Sequence, residues 1–274
     1  MLRKLFSALI VYPAVIILFI LHFTAERKNI AGLTAAAGPG EFPTIEESLP
    51  DVTRTERVLM AGTPEETLLY IIEAEEEGPV VLVIGGIHGN EPAGSRAAET
   101  ITTWAIDRGC LLVIPRANVR ALSARARCAP GAGDLNRAFP GSSSGNSCQQ
   151  LARSIYSVMK EFRPQWVIDL HEAREFEQLA SGALGQTIIY PRTSGSLDLI
   201  NQVVEAVNSG EKFSKYPFIL RRGAIGGGTI KAATLLGLDG FMVETCLRQP
   251  LELRVKQHLR AVAVFMELTG VTVH

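Results

Sequence analysis

Val80-Val81-Leu82-Val83-Ile84-Gly85-Gly86-Ile87-His88-Gly89-Asn90-Glu91-Pro92-Ala93-Gly94 is the stretch that decides the fold. An apolar run rich in β-branched residues breaks at paired glycines. It then presents a histidine and a glutamate three positions apart and meets a proline suited to the first turn of a helix. The segment therefore reads as strand, loop and helix start, with residues of metal-ligating type in the loop.

Outward from this run the same alternation continues. Upstream, strands are expected around Arg57–Ala61 and Thr67–Glu73. Downstream the pattern predicts helix Ala93–Arg108, strand Leu111–Ile114, a loop to about Asn146, helix Cys148–Phe162 and strand Trp166–Leu170. There follow strand Thr187–Tyr190, helix Ser196–Asn208, strand Phe218–Arg221, helix Thr229–Leu236, strand Gly240–Glu244 and helix Leu251–Leu268. Short apolar runs alternating with helical periods imply an α/β fold, a three-layer α/β/α arrangement around a mixed, mostly parallel sheet. In such sheets ligands gather beyond the carboxyl ends of the strands.

Three of those ends carry polar groups. Val80–Ile84 leads to His88 and Glu91, Trp166–Leu170 to His171, and Gly240–Val243 to Glu244. Either an H-x-x-E quartet or a lone histidine is, by itself, more often structural. Their joint placement after apolar strands is what points to metal. Two imidazoles and one carboxylate suit Zn²⁺, with a fourth position left for water, so the proposed ligands are His88, Glu91 and His171. Between them lies Gly131-Ala132-Gly133-Asp134-Leu135-Asn136-Arg137-Ala138-Phe139-Pro140-Gly141, preceded by Arg120, Arg125 and Arg127. An amide and a guanidinium on a glycine-rich loop suit a carboxylate or carbonyl oxygen; a solvated basic loop is the plainer alternative.

The 274-residue chain has 27 basic and 28 acidic residues and a net charge of -1, which argues against nucleic acid as a partner. Leu5 to Phe23 carry no formal charge and are long enough to span a bilayer as one helix. A cleaved signal peptide is the competing reading, with Ala35-Ala36-Ala37 late for a cleavage site. The organisation expected is an anchor over residues 1–23, a linker over 24–51 and a catalytic domain over 52–274, placed outside the cytoplasm because the N-terminal side is short. None of the four cysteines forms C-x-x-C. Cys128 and Cys148 flank the glycine-rich loop and are the preferred disulfide pair, against four reduced thiols.

Together the motifs H-G-N-E-P-A-G, D-L-N-R-x-F-P-G about 45 residues on, D-L-H, and a late strand ending in glutamate resemble the M14 zinc carboxypeptidase superfamily. The resemblance is closest to its succinylglutamate desuccinylase and aspartoacylase branch. It implies one Zn²⁺ held by His88, Glu91 and His171, with Asp134 orienting His88. It further implies that Asn136 and Arg137 grip a substrate carboxylate, that Glu244 is the general base and that Arg127 polarises the scissile carbonyl, with Arg125 as the alternative arginine. The reaction implied is amide hydrolysis on an N-acyl amino acid, a peptide or a cell-wall fragment. That branch usually carries a C-terminal β-rich domain. This chain ends about thirty residues after Glu244, so the domain is expected to be absent and the site more open.

Three further features bear on the site. Gly141-Ser142-Ser143-Ser144-Gly145 satisfies G-x-S-x-G but lacks the strand a nucleophile elbow needs. Glu172, Arg174 and Glu175 line the site or form a charged surface loop, and Tyr190-Pro191-Arg192 is a candidate for specificity. Outside catalysis, the alternative is a silent domain that binds peptide or glycan termini.

Overall fold

The computed structural model describes residues 49–274, apart from 192–195, 210–214 and 224–225. Eight strands form one mixed sheet in the order β1-β2-β4-β3-β5-β8-β6-β7. They are β1 Val52–Leu59, β2 Thr67–Ala74, β3 Glu76–Gly85, β4 Arg108–Ile114, β5 Trp166–Ala173, β6 Thr187–Tyr190, β7 Ile219–Arg222 and β8 Asp239–Cys246. The helices are α1 Pro92–Ile101, α2 Val119–Ala124, α3 Ser147–Phe162, α4 Leu197–Ser209, α5 Thr229–Leu235 and α6 Leu251–Leu268, with a 3₁₀ turn at Leu135–Arg137.

The opening stretch is the buried spine of this sheet. Val81, Leu82, Val83 and Ile84 are fully buried, and their alternation splits them between two cores. Val81 and Val83 pack in the core with Ala97 and Ile101 of α1, Val203 of α4 and Phe265 of α6. Leu82 and Ile84 pack in the other with Ile155 of α3 and Ala233 of α5. Each such side chain contributes about 1.5–3 kcal/mol. Helices therefore cover both faces, and the three-layer reading holds.

Strands β4, β3, β5 and β8 run parallel. The first hairpin packs antiparallel against β4, and β6 enters antiparallel to β8 with β7 parallel to it. The central trio β3-β5-β8 is thus the set of strands whose ends carry His88, His171 and Glu244.

Some boundaries differ from expectation. Helix α1 stops at Ile101 rather than Arg108, because the hydroxyls of Thr102 and Thr103 bond back to Glu99 and Thr100 carbonyls. The Arg54 guanidinium also gathers the Thr102, Thr103 and Trp104 carbonyl oxygens. The loop expected from 115 to 146 contains α2 and the 3₁₀ turn. The segment Leu5–Phe23 lies outside the described residues; among those described, no helix is long and apolar enough to cross a membrane. The Cys128–Cys148 bond is not made. All four cysteines are free, and the Cys148 thiol instead donates to the Gly133 carbonyl at 3.2 Å.

Gly94 sets how closely α1 lies on β5. A Cβ there would come within 2.4 Å of the Leu170 carbonyl oxygen, so Gly94→Ala must push helix and strand apart. We expect a loss of about 1–3 kcal/mol, read from the denaturant midpoint. Weaker metal binding should accompany it, because Glu91 rides on α1 and His171 on β5. An unchanged midpoint would contradict this account.

Candidate metal centre and active site

Register brings the site together before any side chain is considered. His171 of β5 lies level with Glu244 of β8. Both sit on their strands rather than past them, since β5 and β8 run on to Ala173 and Cys246. His88 and Glu91 reach the same place from the turn after β3. Gly89 lets that turn pack on α2: a Cβ would fall 1.8 Å from the Ala121 carbonyl oxygen.

His88, Glu91 and His171 are buried, and one ligand atom from each lies within 4.8 Å of the others. The two rings meet edge to face, with centroids 4.9 Å apart. Each imidazole has its Nε2 held by a carboxylate: His88 by Asp134 Oδ1 at 3.0 Å and His171 by Asp169 Oδ2 at 3.0 Å. An Nε2–H that donates outward leaves Nδ1 with a lone pair. His171 Nδ1 lies 2.8 Å from Glu91 Oε2. His88 Nδ1 lies 2.8 Å from Glu91 Oε1, yet it is buried without a hydrogen bond. Two inward ring nitrogens on one carboxylate, that of His88 orphaned and that of His171 able to yield its proton, suit a cation.

The electrostatics agree. Burial pushes the Glu91 carboxyl up, but His171 and His88 outweigh it and hold it below the ordinary range. Burial lowers His171, and the carboxylates of Asp169 and Glu91 more than reverse that, so it lies above the usual imidazole value.

Asp134 has several partners. It caps the 3₁₀ turn through the Asn136 amide, accepts from His88, and takes both Nε and Nη2 of Arg127 on Oδ2 at 3.1 and 2.9 Å. Arg127 also reaches Glu91 Oε1 at 3.5 Å. Asn136 is 1% exposed, and its Oδ1 is buried without a partner.

One cavity of about 390 Å³ is lined by His88, Glu91, Arg127, Asn136, Arg137 and Glu244, among others. Arg125 instead lines a second cavity, of about 570 Å³, across the Gly89–Asn90 turn. The two arginines left open by the sequence are separated in this way.

Glu244 is 5% exposed, and among the described residues no hydrogen bond or ion pair holds its side chain. Burial, reinforced by Glu91 and Asp169 against the pull of His171, pushes its carboxyl up to about 8.

Other expectations separate. Glu172 is no surface residue: it is 3% exposed and paired with Arg254. Glu175 pairs with Arg248 and Arg174 is exposed at the rim; Glu172, Arg174 and Glu175 all line the cavity. Tyr190 lies at the wrong end of the sheet. Because β6 runs antiparallel to β8, Thr187 is the residue beside Glu244, and Tyr190 points away from the site's end. Arg192 lies outside the described residues. Gly141–Gly145 forms turns ahead of α3 with no strand before it. The D-L-H motif assigns Asp169 no role of its own, although it holds His171. Its spacing of two from His171 on a strand puts both on one face, a signal that could have assigned it.

Residues 77–201 match the family model described as Succinylglutamate desuccinylase/Aspartoacylase catalytic domain. The chain is 29% identical over 197 residues to N-alpha-acetyl-L-2,4-diaminobutyric acid deacetylase of Halomonas elongata, covering 61% of this chain and 55% of that protein. It resembles the mDAP-bound form of Helicobacter pylori Csd4, a D,L-carboxypeptidase, with TM-score 0.62 and 19% identity over 72% of this chain and 52% of that one. Against succinylglutamatedesuccinylase/aspartoacylase of Rhodobacter sphaeroides the TM-score is 0.62 and the identity 17%, over 86% and 69%. At these identities the structural likeness shows the fold. The chain spans about half the length of the first two of these relatives.

Proposed function

We propose that this chain, whose residues 77–201 belong to the succinylglutamate desuccinylase/aspartoacylase catalytic-domain family, is a zinc-dependent hydrolase that cuts an amide bond in a carboxylate-bearing substrate. The observation that carries the reading is the pair of imidazoles with Nε2 tied outward and Nδ1 turned inward on one carboxylate.

His88, Glu91 and His171 would hold Zn²⁺, which when bound supplies an acidified water and a polarised carbonyl. Glu244 takes the proton of the attacking water and returns it to the departing amine. Arg127, held by Asp134 at the cavity wall, donates to the oxygen on which charge develops. Asn136 and Arg137 fix the substrate's carboxylate, so binding energy becomes orientation at the reacting carbon. Arg174, with no carboxylate partner among the described residues, favours substrates with a second acidic group at the rim.

Substrates divide into N-acyl amino acids and carboxyl-terminal peptides, including cell-wall fragments. The Halomonas elongata relative is a deacetylase and the Helicobacter pylori neighbour a D,L-carboxypeptidase; this supports amide hydrolysis in both forms. The test is metal analysis of purified residues 49–274, then a panel of N-acyl amino acids, peptides and murein fragments. Zinc that neither copurifies nor binds at micromolar levels would end the proposal. On the productive substrate, Arg137→Gln should raise KM by about 10- to 100-fold, the loss of one or two charge-assisted hydrogen bonds. A KM that does not move would remove Arg137 from carboxylate binding.

On its hydropathy, segment 1–23 would tether the domain to a membrane through residues 24–51, with catalysis outside the cytoplasm. Membrane fractionation of the full chain, with and without residues 5–23, together with protease access in intact cells, tests that placement.

A further inference from the structure

Glu91 is the N-cap residue of α1, yet its side chain makes no capping bond. A carboxylate at that position ordinarily accepts from an amide in the helix's first turn. Here Glu91 faces the two histidines. The amide it neglects is Ala93 N, the second residue of the helix, and that amide is satisfied from another strand: it donates to Glu172 Oε2 at 2.7 Å. Glu172 Oε1 accepts from Arg254 Nη1, and the Arg254 Nε donates to the Gln249 carbonyl at 2.9 Å. The Glu172 backbone amide in turn donates to Glu91 Oε2 at 3.0 Å. Both side chains of the ion pair are under a tenth exposed.

We infer that Glu172 is a positioning residue that caps helix α1 in place of Glu91, and so frees the Glu91 carboxylate for the metal. The inference rests on the proposed metal centre. Arg254 is the second part of the arrangement. Two carboxylates at one buried helix end repel each other, and a guanidinium on the outer one removes most of that cost. Without the Glu172 oxygen, the Ala93 amide would be left buried and unpaired. The nearest replacement acceptor would be Glu91 itself, turning back into the ordinary capping position and out of the metal group. The cap and the metal would then compete for one carboxylate.

The test compares two double variants in which the buried arginine is never left unpaired. Glu172→Gln with Arg254→Met keeps an oxygen for Ala93, whereas Glu172→Leu with Arg254→Met keeps the volume and removes the oxygen. Zinc dissociation constants are measured by competition with a chromophoric chelator, at a temperature where circular dichroism reports both proteins folded. The Leu variant should bind zinc about 10- to 100-fold more weakly than the Gln variant, the range for partners just outside the ligands. The Gln variant should stay within about threefold of the unmodified chain. Equal affinities in the two variants would overturn the inference. Should the Leu variant not fold, Glu172→Asp retains the charge but is one methylene too short for Ala93. It should shift zinc affinity in the same direction, and undiminished binding by folded Glu172→Asp would overturn the inference equally. An unmodified chain that binds no zinc overturns the metal reading itself, whereas normal binding by the unmodified chain and both double variants overturns only the capping role.

Discussion

Glu244→Gln should retain zinc and lose about 10²- to 10⁴-fold in kcat/KM, with most of the loss in kcat, the usual worth of a positioned general base. The amide is isosteric, and Glu244 is outside the ligand group His88, Glu91 and His171, so the metal has no reason to leave. Nor does the fold. Among the described residues no hydrogen bond or ion pair is lost when this carboxylate is neutralised. Burial is the main reason its carboxyl is pushed up to about 8 in the metal-free chain, so a neutral side chain fits the same space at little cost. A buried acid with no structural duty, level with a histidine across parallel strands, is what a proton carrier requires. Full turnover by the zinc-loaded Gln variant would sink Glu244 as the base. Loss of zinc would mean that the variant tests the wrong thing.

Much of the centre was legible in the sequence because its parts sit where local rules are strong. The run Val80–Ile84 is β-branched and uninterrupted, so its strand, its end and the histidine beyond it follow directly. His171 and Glu244 follow equally short apolar runs, and parallel pairing of β3, β5 and β8 then aligns all three without further information. What stayed hidden depends on distant partners. Nothing within Thr187–Tyr190 says that β6 enters antiparallel, and that reversal alone takes Tyr190 away from the site. Glu172 and Glu175 look alike in a charged run. Strand β5 buries the first against Arg254, 82 positions away, whereas the second lies in the bend after the strand and reaches Arg248. The end of α1 is likewise set by Arg54, from a strand far upstream. Cys128 and Cys148 illustrate the reverse error: flanking one loop is a weak constraint, and a thiol near a carbonyl has another use for its hydrogen.

His171→Ala should abolish both zinc retention and activity, and it should also destabilise the metal-free chain by about 3–5 kcal/mol, the scale for removing one partner from a buried ionic group. The ring is 2% exposed between Asp169 and Glu91, and the Thr229 hydroxyl already bonds the same Asp169 oxygen. Alanine would leave two buried carboxylates facing each other without the cation between them. The sign of the pH dependence follows from the raised value of His171. Its contribution to the metal-free fold is fully present below the unfolded value of about 6.5, and it is lost as pH rises through the higher folded value. The difference in stability between the unmodified chain and His171→Ala, measured without metal, should therefore be largest in mildly acidic solution and shrink in alkali. Zinc binding adds the complementary result. A ligand must be deprotonated to bind the metal, so uptake by the unmodified chain should release at least the His171 proton to solvent at neutral pH and tighten as pH rises. Calorimetry in buffers of different ionisation enthalpy reads that proton directly. Proton-neutral uptake would mean that His171 is already deprotonated in the empty site, and that Asp169 and Glu91 do not hold it charged.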